Sequence, residues 1–219
     1  MPRPGVEGPD RALAVGTRTR EVHAMQTLAE LIAASASMPD IAAHLDRLES
    51  ATRLEQALAL GERDQARLFD LAKDARHLGL GELVPPGTPP LVEVVHEGRN
   101  SLPLFRRFAK VMCRPDGDDS PEQLWGYNRN PALVATTVGP GYFVVVAHGD
   151  GESLVDYLRV PPRKPEAWPA ILPNDARLSR FVYNGTQDVL RGVSTHVSIG
   201  RATRAGKVMN NWFVLCRSV

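Results

Sequence analysis

Four prolines fall within seven residues at Val84-Pro-Pro-Gly-Thr-Pro-Pro90. Each proline removes a backbone donor and fixes φ, so this stretch is neither helix interior nor central strand. It splits the chain into two parts that fold by different rules. Upstream the apolar residues recur at helical spacing, and downstream they alternate as in strands.

Upstream, between Thr19 and Leu78, the punctuation predicts several short helices. Val22, Met25, Ala29 and Ile32 share one face. Ser37-Met-Pro-Asp40 has the composition of a helix start, with Ser37 as cap and Pro39 in the first turn, where its missing N–H costs nothing. Ile41, Leu45 and Leu48 form the stripe that follows. Leu54, Ala57 and Leu58 mark a third helix that breaks near Gly61. Leu68, Leu71, Ala72 and Ala75 mark a fourth, with Gly79 read as its left-handed cap. Helices this short must bury their stripes against something.

Downstream, strand spacing appears at Leu91 to His96, Phe105 to Cys113, Gln123 to Asn128, Tyr142 to Ala147, Ser153 to Leu158, Val193 to Ile199 and Trp212 to Cys216. Tyr142 to Ala147 is apolar on both faces, as in a strand covered on each side. His148-Gly-Asp-Gly-Glu152 behind it has the composition of a hairpin turn. After the Pro-rich crossing Val160 to Pro173, which carries Trp168, a helix is expected from Asn174 or Asp175, with Leu178, Phe181, Val182, Gly185 and Val189 at helical intervals. The expected fold class is therefore α+β, with a helical module followed by a mostly antiparallel sheet of five to seven strands and one long packing helix. The expected divisions are a flexible arm over 1–18, the helical module over 19–83, the Pro-rich linker over 84–90 and the sheet domain over 91–219.

Charge narrows the function classes. Residues 1–90 hold 10 Lys+Arg against 13 Asp+Glu and residues 91–219 hold 16 against 12, far from the basic stripe of a nucleic-acid binder. Arg106, Arg107, Lys110 and Arg114 read as a solvated basic face. Cys113 and Cys216 have no CxxC spacing and read as buried reduced thiols. No apolar run approaches a membrane span, and residues 1–20 lack the apolar core of a signal peptide, so the expected location is cytoplasmic. There is no P-loop and no dinucleotide fingerprint, and no cofactor is indicated.

Two constellations could carry chemistry. Trp125, Tyr127, Asn128, Tyr142 and His148 combine rings with an amide and an imidazole, the mixture a concave ligand site uses. His148, Asp150 and His196 could ligate a metal, with Glu152 and Asp156 close by in sequence. The leading reading is a small-molecule-binding or sensor module without catalysis, its helical part meeting a partner or a second copy. Against it stand a metal-assisted hydrolase or lyase using His148, Asp150 and His196, and a purely structural interaction module.

Overall fold

Thr186, Asp188, Leu190 and Gly192 are buried while the residues between them are half-buried, a strict period of two. That alternation overturns the long packing helix. In the computed structural model, which describes residues 26–102, 106–117, 122–131, 138–172 and 183–218, this segment is a strand. Leu178, Phe181 and Val182 of the expected helix lie outside the described residues.

The elements are α1 (Leu28–Ala33), α2 (Met38–Arg47), α3 (Ser50–Ala59), α4 (Glu62–Leu71) and α5 (Leu80–Leu83), then β1 (Val94–Asn100), β2 (Arg107–Cys113), β3 (Gln123–Arg129), β4 (Tyr142–His148), β5 (Glu152–Asp156), β6 (Thr186–Gly192), β7 (Val197–Arg204) and β8 (Lys207–Arg217). The strands form a closed barrel in chain order, every neighbouring pair antiparallel, with β1 and β8 sealing the ring through His96 opposite Arg217 and Asn100 opposite Phe213. The α+β class is corrected accordingly. Among the described residues no helix lies across the inner face of the sheet, because the opposite wall covers it. Eight strands leave an interior that side chains nearly fill.

Three inner glycines show how it is filled. Gly98 faces Phe108, Gly126 faces Phe143 and Gly200 faces Phe213 across neighbouring strands. A Cβ on Gly126 would sit 2.3 Å from the Phe143 ring and 2.8 Å from the Val111 carbonyl. Each bare backbone therefore gives a phenyl ring the room to lie across the inner wall, the small-against-large filling typical of narrow barrels. Gly126→Ala is expected to lower unfolding stability by about 1–3 kcal/mol through overpacking, with part of the loss recovered when Phe143→Leu is added. Urea midpoints of the wild type and the two variants check this.

One end of the barrel is stoppered by residues 78–84. Leu78, Leu83 and Val84 enter the inner core. Four carbonyls of this short stretch are captured by side chains: Leu78 by the Ser153 hydroxyl at 2.7 Å, Glu82 by Arg217 at 2.9 Å, Leu83 by His96 Nε2 at 2.9 Å and Val84 by Arg114 at 2.6 Å. Gly79 is not a left-handed helix end. Its φ is −85° and it precedes α5 as N-cap, while α4 ends earlier, at Leu71.

The helices lie outside the barrel. Ser37 caps α2 as its composition predicts, accepting from the Asp40 amide. Ile41 and Leu45 of α2, Ala57 and Leu58 of α3, and Leu68 and Phe69 of α4 join one core with Val197, Ile199, Val214 and Cys216 from the outer face of β7 and β8. The stripes thus face the barrel wall. Arg99 and Arg191 reach across to accepting carbonyls near helix C-termini, Leu58 at 2.7 Å and Phe69 at 2.8 Å, where a cation also suits the helix dipole. Among the described residues no helix is long and apolar enough to cross a membrane.

Candidate functional site

The end opposite the stopper holds a cavity of about 110 Å³. Its lining follows from register. Phe108 and Lys110 on β2, Asn128 on β3, Thr186 and Asp188 on β6, Ala202 on β7 and Phe213 on β8 are inward positions, and Tyr157 follows β5. Asn100, Asn130, Asn211 and Tyr183 complete the polar part of the lining.

A buried ion pair with its partners lies against this cavity. Lys110 is 1% exposed and Asp188 4%, and Lys110 Nζ lies 3.1 Å from Asp188 Oδ2. Nζ also donates to Asn128 Oδ1 at 3.3 Å and to the Tyr157 hydroxyl. The Asn128 amide donates to that hydroxyl at 2.8 Å. Four rings surround the ammonium, with centroids at 4.9 Å for Phe143 and Tyr157, 5.0 Å for Phe213 and 5.7 Å for Phe108. The three phenyls are those that face the inner glycines, so the glycines shape the cage around the charge. The ring faces return to the buried cation part of what it loses in hydration.

Burial sets the electrostatics. It pulls the Lys110 ammonium below the ordinary lysine range, opposed by the Asp188 charge and its hydrogen bond. It pushes the Asp188 carboxyl up, opposed by Lys110. Both shifts favour the neutral form, so the proton between them is held less firmly on nitrogen than in water. Burial raises the Tyr157 phenol well above its usual value and the Tyr183 phenol to about 12. Tyr183 stacks on Tyr157 with centroids 5.2 Å apart, and its hydroxyl accepts from Asn130 at 2.9 Å.

Of the residues selected from sequence, Asn128 lines the cavity. Trp125, Tyr127 and Tyr142 occupy the outer face, in a core with Val111, Val144 and Trp168. Trp168 from the Pro-rich crossing covers them, its centroid 4.9 Å from that of Tyr127, and its indole donates to Glu93 at 3.1 Å. His148 is exposed at the end of β4, paired with Glu152 across the 3-10 turn Gly149–Gly151, so the His-Gly-Asp-Gly-Glu stretch is a hairpin connection.

His148 and His196 stand three strands apart, with β5 and β6 between them. Arg217 lies 3.2 Å from His196 Nδ1, and burial together with the Arg53 and Arg217 charges depresses the His196 pKa, an environment that repels a cation. Among the described residues no group of three His, Cys, Asp or Glu is placed to hold a metal. The neighbours proposed for it are otherwise engaged: Glu152 pairs with Arg191 at 2.6 Å and Asp156 accepts from the Leu158 amide.

The solvated basic face needs correction at Lys110, which points inward between Phe108 and Met112 rather than outward with Arg107. The signal was available, since a charged residue on the apolar side of an alternating strand demands a partner. Nothing local identified that partner as Asp188, 78 positions away. Burial raises both thiols, Cys113 to about 12, as expected for inert buried cysteines. No family model, curated protein or solved structure matches the chain, so the site is read from its own geometry.

Proposed function

We propose that the barrel is a small-molecule carrier or sensor whose cavity, at the end opposite the stopper, binds a compact organic ligand. One observation carries the reading: a cavity lined by rings and four asparagines sits at the barrel end opposite the stopper, against a buried polar network. Rings supply contact area and amides fix orientation, as ligand sites require. The volume suits a single ring, given that a dry cavity of roughly 150 Å³ holds benzene. Among the described residues the lining pairs its one cation, Lys110, with its one anion, Asp188, which favours an uncharged ligand with one polar substituent.

Benzyl alcohol and benzamide are suitable probes. At about a hundredfold excess over its Kd, a bound probe should stabilise the fold by about 2.7 kcal/mol. Ala202→Leu, which fills the cavity, should weaken binding by roughly tenfold, on the order of 1.4 kcal/mol. Tyr127→Phe on the outer wall should leave it unchanged. Calorimetric titration of the three proteins decides: no heat with either probe, or equal affinity in the filled variant, refutes the reading.

A further inference from the structure

We infer that Lys110 is the attachment point for a small aldehyde or ketone, which the barrel cavity holds as an imine on Nζ. The inference rests on the cavity being a ligand site, and it adds the chemical class of the ligand.

Three observations carry it. Lys110 lines the cavity, with its amine at the centre of four rings and within reach of Asp188, Tyr157 and Asn128. A ring-bearing carbonyl compound placed among Phe108, Phe213 and Tyr157 would direct its polar end toward that amine. The choice of residue is also informative. The chain contains four lysines, Lys73, Lys110, Lys164 and Lys207, against twenty-two arginines. Where it needs a permanent cation it nearly always uses a guanidinium, yet at the buried position it places an amine, which unlike a guanidinium becomes a nucleophile on losing its proton.

The chemistry balances within the site. Lys110 passes one proton to Asp188 across 3.1 Å, which burial already favours. The amine lone pair attacks the carbonyl carbon, and the C–N bond forms as the π pair moves to oxygen. A second nitrogen proton moves to that oxygen and gives a carbinolamine. The Asp188 carboxyl then protonates the hydroxyl, water leaves, and the nitrogen lone pair closes the C=N bond. An ammonium–carboxylate pair has become an iminium–carboxylate pair plus water, so the buried charge is the same before and after. No oxidant or reductant takes part in imine formation.

The test uses the full chain at pH 7 with benzaldehyde and cyanoborohydride, which traps imines as stable amines, followed by peptide mapping. Benzyl alcohol, of the same shape but without a carbonyl, is titrated in parallel. Lys110 should carry the adduct at roughly tenfold or more the level of Lys73 and Lys207, both exposed and outside the cavity. The excess should vanish on competition with benzyl alcohol. If benzyl alcohol binds while Lys110 is labelled no more than Lys73 and Lys207, the imine inference is overturned and the ligand site stands. If benzyl alcohol does not bind, the ligand site falls and takes the inference with it.

Discussion

Asp188→Ala should cost about 3–5 kcal/mol at pH 7, the usual result of removing one partner from a buried pair and leaving the other without compensation. Lys110 is then left 1% exposed among four rings, with Asn128 and the Tyr157 hydroxyl as its remaining hydrogen-bond partners. The pH dependence of the deficit separates this cause from simple loss of packing. Without the Asp188 charge, which opposes the depression of Lys110, the folded lysine binds its proton more weakly than the unfolded one. Between the two pKa values the unfolded state carries more protons, so stability rises with pH. The deficit should shrink as the solution approaches the unfolded lysine value of about 10.4. Adding Lys110→Met to Asp188→Leu should recover most of the loss, because an apolar pair of similar volume leaves no stranded charge. Urea unfolding at pH 7 and pH 9.5 measures all of this. Equal midpoints for Asp188→Ala and the wild type at pH 7 would show that the pair carries no such strain.

Acid should loosen the other end of the barrel. His96, buried beneath the stopper, donates through Nε2 to Leu83, and burial lowers its pKa from 6.5 to about 4, with Arg217 and Lys110 acting in the same direction. Below pH 6.5 the unfolded chain binds a proton that the folded chain refuses until about pH 4. The stabilisation is therefore complete above the unfolded value and is lost as pH falls through this window, by about 3 kcal/mol in total. His96→Gln keeps a donor near Leu83 and has no titration there. Between pH 7 and pH 4 the wild type should lose about 3 kcal/mol more than this variant, and parallel stability curves would refute the assignment. His196, depressed as well, is common to both proteins and cancels.

What could be read from sequence was local. The Ser37 cap, the strand at Gln123–Arg129 and the hairpin behind His148 depend on residues a few positions apart, and each stands where its composition predicts. Closure depends on His96 meeting Arg217 across most of the barrel sequence, which no period in either strand encodes. The helix expected through Val189 failed because spacing from Gly185 to Val189 fits a helix, while the competing alternation of Thr186, Asp188 and Leu190 hides an aspartate on its buried side. The candidate site failed in part for a geometric reason. Tyr127 and Asn128 are consecutive in a strand and so point to opposite faces. Choosing both for one pocket guaranteed that one of them was misplaced. The rings went to the outer wall under Trp168, and the amide went inside to meet Lys110, a residue set aside as solvated.

Sealing of the first strand against the last also bears on how this chain could associate with others. Each of the eight strands is paired with a neighbour on both flanks, β8 with β1 through Phe213–Arg217. Along these paired stretches no row of idle donors and acceptors is left onto which a foreign strand could be grafted, the route by which open sheets polymerise. Where the strands are paired on both flanks, contact with another molecule falls to side chains on the outer wall, where shape and charge discriminate between partners far more than a backbone ladder does.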